Sequence, residues 1–96
     1  MKPSTNRIHV SIPDYGGQVT APANGYYNLQ RFAIQPEGAI SLINLTRGLR
    51  ITVTAGNRGN PYLRCFVPVA KNDMVQVEYV QVNSSVDEFL FIYAGN

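Results

Sequence analysis

Cysteine occurs once in this chain, histidine once and tryptophan not at all. A single cysteine excludes an internal disulfide, and the absence of a disulfide framework leads to the expectation of folding in a reducing cytoplasm. One histidine and one cysteine cannot supply the usual zinc ligand set. Cys65 lies in the apolar run "LRCFVPV" and reads as a small buried core residue. A reactive thiolate needs a basic neighbour, and His9 sits in a different strand candidate. Charge is scarce as well: Asp, Glu, Lys and Arg make up 15% of the chain, against an average of about 25%. A chain with so little charge hides part of its surface against a partner, so an oligomer is expected. Apolar runs are only a handful of residues long, far short of the roughly 20 needed to span a bilayer, and no membrane insertion is expected. "MKPSTNRIHV" lacks the apolar segment of a secretion signal. The glycosylation patterns Asn44-Leu45-Thr46 and Asn83-Ser84-Ser85 are therefore read as chance.

Acids number six, and none is paired in the manner of a two-carboxylate hydrolase. Asp87 and Glu88 are adjacent, so they diverge in an extended chain. His9, Ser11 and Asp14 have the residue types of a hydrolytic triad, but no Gly-x-Ser-x-Gly elbow frames the serine. Gly56 and Gly59 lack the lysine and the strand-loop-helix context of a phosphate-binding loop. No catalytic residue, metal or cofactor is expected, and the chain does not read as an enzyme.

Short β-rich runs separated by Gly, Asn, Asp and Pro are abundant. Strands are expected near 7-12, 17-21, 25-34, 39-46, 49-55, 61-69, 74-82 and 88-94, and no window carries a helical stripe. Ninety-six residues make one domain, read as a β-sandwich or barrel over 1-96 with a flexible lead at residues 1-6. Alternation puts Leu49, Ile51 and Val53 inward in "LRITVT", and Val75, Val77 and Tyr79 inward in "MVQVEYV". Val10, Tyr27, Leu29, Cys65, Val67 and Phe91 complete the candidate core. "FLFIYA" is apolar on both faces. Phe89, Phe91 and Tyr93 share one side; Leu90, Ile92 and Ala94 share the other. One of those sides is expected to meet a second subunit. In "GYYNLQ" the same alternation sends Tyr27 to the core and Tyr26 outward. Tyr26, Leu90 and Ile92 are thus the candidate interface residues.

Charge is unevenly placed. Between Glu37 and Asp73 there are only bases (Arg47, Arg50, Arg58, Arg64 and Lys71), and after Lys71 only acids (Asp73, Glu78, Asp87 and Glu88). Pairing between strands or subunits is expected, because four arginines are thin for a nucleic-acid footprint. No nucleic-acid partner is expected. The loop "GNRGNPY" combines amides, a guanidinium and an aromatic ring, a makeup suited to sugar hydroxyls and CH faces. Asn57, Arg58, Asn60 and Tyr62, with Tyr26 as a second choice, are the candidate ligand-binding residues.

The stretches "TAPANGYY", "INLTRGLRITV", "LRCFVPVAKNDMVQVEY" and "FLFIYAGN" together resemble the small C-terminal domains of bacteriophage and prophage tail fibres. Those domains run "TAPA-(D/N)-G-(aromatic)", several strands, "PV-x-K-G-D-x-V-x-(aromatic)", and a terminal "F-x-F-x-(Y/P)" strand. The resemblance covers Arg7 to Gly95 and departs at Asn72, where the pattern has glycine. It implies an eight-stranded antiparallel jelly-roll β-sandwich of the tumour-necrosis-factor-like type. It also implies a homotrimer, contact with other virion proteins, and a receptor-binding tip touching host-cell surface polysaccharide or protein. The expected location is the virion, assembled in the bacterial host cytoplasm. Two alternatives stand beside it: a structural decoration or capping protein of the phage particle that binds no receptor, and a bacterial carbohydrate-binding module.

Overall fold

Turn residues divide the chain into eight strands and set their order. The computed structural model describes residues 2-34, 37-56 and 62-95, with backbone alone at 2-5 and 83-87. The strands are β1 (Lys2–His9), β2 (Gln18–Thr20), β3 (Gly25–Ala33), β4 (Ala39–Asn44), β5 (Leu49–Thr54), β6 (Tyr62–Val69), β7 (Met74–Val80) and β8 (Val82–Gly95). All pairing is antiparallel, in two four-stranded sheets of order β1-β8-β3-β6 and β2-β7-β4-β5. The outermost ladders follow one rule: β1 pairs β8, β2 pairs β7, β3 pairs β6 and β4 pairs β5. The chain is a long ribbon folded back on itself at the β4–β5 turn, then wound so that β3–β8 and β4–β7 complete the sheets. The expected all-β, eight-stranded antiparallel class is what forms.

Period-two alternation builds the core between the sheets. From the first sheet come Tyr27, Leu29, Leu63, Cys65, Val67, Phe89 and Phe91; from the second come Ile40, Leu42, Val75 and Val77. Tyr27 lies at its centre, 5.1 Å from Phe91 edge-on and 5.3 Å from Phe89. Each such aromatic pair contributes about 0.5–1.5 kcal/mol beyond the area it buries. Val10, Ile51, Val53 and Tyr79, expected inside, are half-buried and pack against this cluster, whereas Leu49 is exposed. Cys65 is buried as expected; it donates to the Ile51 carbonyl at 3.3 Å, and burial pushes its thiol up to about 11. Gly25 is required where β3 begins, because a Cβ there would sit 2.2 Å from the Ile92 carbonyl oxygen.

Three expectations differ from the structure. The first strand starts at Lys2, paired with Gly95, so the lead expected over residues 1-6 belongs to the sheet from Lys2 onward. It ends at His9, and only the Val10 amide, donating to the Phe89 carbonyl at 2.8 Å, carries the ladder further. The break expected at 83-87 is not a break. Strand β8 runs through it, and the register slips: β3 advances from Gln30 to Phe32 while β8 goes from Glu88 to Asn83. Extra residues on one strand are absorbed as a bulge, the usual response of an antiparallel ladder to insertion.

The β6–β7 turn explains the departure at Asn72. Its φ is 75°, the left-handed region, which glycine enters freely and asparagine enters more readily than other residues. Its amide donates to the Ala21 carbonyl at 2.8 Å, tying this turn to the end of β2. Asn72→Ala is expected to lower stability by about 1 kcal/mol, and Asn72→Gly to leave it unchanged or slightly raised. Urea denaturation of the two variants measures the difference, and equal losses in both would remove the conformational explanation.

Candidate functional site

Alternation on β3 separates the neighbouring tyrosines. Tyr27 is 2% exposed in the core. Tyr26 lies half-buried on the outer face of the first sheet, between Pro68 of β6 and Ile92 of β8. Two residues along, Asn28 sits between Phe66 and Leu90. Side chains directly opposite in an antiparallel pair share a face, so Tyr26, Asn28, Phe66, Pro68, Leu90 and Ile92 form one surface. Phe66 is 46% exposed there. Asn28 is buried, and its Oδ1 accepts no hydrogen bond from the described residues.

The three residues expected at an interface thus share one face, but in different roles. Leu90 and Ile92 are 3% and 4% exposed within a single chain. Strand β8 lies between β1 and β3, and neighbours on both sides cover these side chains before any partner arrives. They form the base of the face, while Phe66, Pro68 and Tyr26 are its reachable part. Phe66 was missed because "LRCFVPV" reads as a buried run; in β6 its residues alternate strictly between buried and exposed.

Of the candidate ligand residues, Tyr62 and Tyr26 do not converge. Tyr62 opens β6, 48% exposed, with its ring 6.5 Å from Phe32 edge-on and 5.9 Å from the Arg64 guanidinium carbon. Phe32 pairs Tyr62 and Tyr26 pairs Pro68 on the same ladder, six residues apart on β3. At about 3.3 Å per residue the two tyrosines are roughly 20 Å apart, at opposite ends of the sheet. Asn57, Arg58 and Asn60 lie outside the described residues.

Two ion pairs join the basic middle of the chain to its acidic end. Arg47 Nε donates to Asp73 Oδ2 at 2.8 Å, and Arg50 Nη1 donates to Glu78 Oε1 at 3.1 Å. Asp73 is buried, and the same Oδ2 also accepts from Asn44 Nδ2 and from the Ala70 amide, each at 2.9 Å. The Asn44 hydrogen bond leads in holding this carboxyl below its ordinary value; burial opposes it, and the Ala70 amide and Arg47 add to the lowering. Nδ2 of Asn44 also reaches the Pro68 carbonyl at 3.3 Å, so the cluster bridges both sheets. Asn44 is fully buried, which agrees with reading its glycosylation pattern as chance. A carboxylate so engaged is a structural acceptor rather than a proton-transfer group.

Arg31 was not anticipated either. It lies on the inward side of β3, 5% exposed, with its guanidinium carbon 4.3 Å from the centre of the Tyr79 ring. Compared with known proteins, the chain matches no family model, no curated protein and no solved structure.

A folded-state pKa below the unfolded one gives stability that is present above the unfolded value and lost as pH falls through the folded one. For Asp73 that loss begins near the ordinary value of 3.8 and continues below it. Asp73→Ala strands the buried Asn44 amide and is expected to cost about 2 kcal/mol at neutral pH. Chemical denaturation at pH 7 and pH 3 checks the sign: the gap between the parent and Asp73→Ala should narrow at the lower pH.

Proposed function

We propose that this chain is a non-enzymatic virion component. In this reading it is a tumour-necrosis-factor-like jelly roll that assembles as a homotrimer at the tip of a bacteriophage tail fibre and contacts a host-cell surface glycan or protein. The observation that carries the reading is the outer face of the β1-β8-β3-β6 sheet. It presents Phe66, 46% exposed, beside Pro68 and the half-buried Tyr26. Apolar area around Phe66 and Pro68 adds roughly 25 cal/mol for each Å² covered.

The strand order supports the jelly-roll part of the proposal. Eight antiparallel strands wound as a folded ribbon, in two sheets of four, are what a pair of Greek keys requires. The asparagine at the glycine position of "PVxKGDxV" keeps the left-handed turn, which supports the resemblance at that position. The number three and the place in a fibre come from the resemblance to tail-fibre tips. The association itself is supported by the low charge content and by the sheet face.

Light scattering coupled to gel filtration is expected to give a mass near three chains for the parent. Phe66→Glu puts a charge on the reachable part of the face and should yield folded monomers. Leu90→Asp strikes a side chain already buried within one chain and should impair folding instead. A well-folded parent monomer at micromolar concentration would overturn the assembly. An array of host lipopolysaccharides and capsules tests the attachment role: sharp binding to one surface supports a fibre tip, and a trimer that binds none is a decoration protein.

A further inference from the structure

Strand β2 is only three residues long, and its last partner toward the chain's start is Gln76, opposite Gln18. Beyond that point Glu78 and Val80 of β7 lack a β2 neighbour. The preceding loop fills the gap. Gly17 N donates to the Asp14 carbonyl at 2.7 Å, closing a turn that splices onto β7 through Gly16 N to the Val77 carbonyl and Val77 N to the Gly17 carbonyl. A Cβ on Gly17 would lie 2.6 Å from Pro13 Cβ, so the turn needs glycine there. This turn presents Tyr15, 59% exposed, with its ring 6.0 Å from Tyr79 edge-on; Tyr79 is itself held by its hydroxyl donating to the Pro13 carbonyl at 3.1 Å. The result is a notch of ≈160 Å³ lined by Tyr15, Ala39, Ser41, Glu78, Tyr79 and Val80.

We propose that this notch is a binding subsite for a single neutral sugar ring, with Tyr15 as the stacking platform and Glu78 and Ser41 as the hydroxyl-binding groups. The proposal rests on the glycan-binding form of the function above and gives it a location. Glu78 is fixed before any ligand arrives: Oε1 accepts from Arg50 Nη1 at 3.1 Å and Oε2 from Gln76 Nε2 at 2.8 Å. Each oxygen keeps a lone pair for a ligand O–H. Opposite Glu78 on β4, Ser41 shares one hydrogen bond with Thr52 at 2.8 Å. Either hydroxyl can be the donor in that bond, so Ser41 offers the notch its O–H when Thr52 donates and an accepting lone pair in either case. An exposed ring, a held carboxylate and a hydroxyl thus converge, the combination that fixes a sugar's CH face and its hydroxyls.

Two tyrosines beside a carboxylate also resemble a cage for an organic cation. Charge decides against that occupant. Arg50 neutralises Glu78, and the buried Arg31 guanidinium already lies over the Tyr79 ring. The notch therefore carries no net negative charge to offer a cation, and hydroxyl groups are the ligand chemistry it suits.

The test is a two-dimensional amide NMR titration of the full chain with glucose, galactose, mannose and N-acetylglucosamine, with tetramethylammonium as the cation probe. At least one sugar should shift the amides of Tyr15, Gly16, Gly17 and Glu78 with affinity on the order of millimolar. Tyr15→Ala should weaken that binding about tenfold or more with unchanged circular dichroism and unfolding temperature, Tyr15→Phe should retain it, and Glu78→Gln should weaken it. If no sugar moves these amides, the subsite is wrong. Host-glycan binding on the array that persists in Tyr15→Ala has the same meaning, while leaving the fibre-tip reading intact. A response to tetramethylammonium alone overturns the ligand class.

Discussion

Asp73 is the constraint on which one end of the molecule depends. A buried carboxylate is costly unless it is met by several donors, and here a single oxygen draws them from three places. Asn44 closes β4, Arg47 lies in the β4–β5 turn, and Ala70 follows β6. Two further bonds extend the set: Ala21 N donates to the Asp73 carbonyl, and Lys71 N donates to the Asn24 side chain at Oδ1. Three connections between strands are thereby fixed relative to one another, and the two sheets meet at that end at a defined distance. Replacing the carboxylate by an apolar group would leave these donors facing a gap, so substitution at Asp73 is expected to be costly.

Fixing those turns also determines which strands are central. With β1, β2, β3 and β4 paired in reverse order with β8, β7, β6 and β5, strands β3 and β8 lie in the middle of one sheet, and β7 and β4 in the middle of the other. A central strand is covered by neighbours on both edges, so its outward side chains are partly shielded without any partner. That is why Leu90 and Ile92 are buried in one chain although they point away from the core. The short β2 has the opposite effect, because its early end leaves part of β7 uncovered and opens the notch beside Tyr15.

Much of the fold was legible in the sequence, for reasons that can be assigned residue by residue. Gly, Asn and Asp clusters marked the turns because few other residues adopt their backbone angles. Period-two alternation put Tyr27, Leu29, Val75 and Val77 inside because a pleated strand leaves no other choice. The bulge at 84-87 was hidden, since a slip in register depends on the partner strand and not on the residues that bulge. Arg31 was hidden for a different reason. Its position on β3 pointed inward, but its charge argued against burial, and the Tyr79 ring that receives it is 48 residues away. The notch was hidden in the same way. Tyr15 and Glu78 meet only through the β2–β7 pairing, and local pattern carries no information about how far a strand extends. Tyr62 and Tyr26 were grouped by chemistry alone, and the ladder that separates them was not readable from either.

The two outer faces have different chemistry, and this bears on how association and recognition could coexist. The β1-β8-β3-β6 sheet shows Tyr26, Phe66 and Pro68 outward above Leu90 and Ile92. The β2-β7-β4-β5 sheet shows Ser41 bonded to Thr52, and Glu78 bonded to Arg50 and Gln76, with Ile43 and Val80 on the same face. Arg7, His9, Gln30, Arg64 and Glu88 share the first face, so desolvating either sheet as a whole would cost the solvation of charged groups, and only the patch at Phe66 and Pro68 recovers apolar area without that cost. In the proposed assembly that patch is the part of the first sheet suited to contact. Because the sheets lie back to back across the core, any assembly through one leaves the other facing solvent. Copies packed about an axis through the apolar face would carry their Tyr15 notches on the outside, one per chain. Several weak sugar contacts presented by one rigid body bind a repetitive surface far more strongly than one contact alone, so a subsite of millimolar affinity is sufficient once the chain is multivalent.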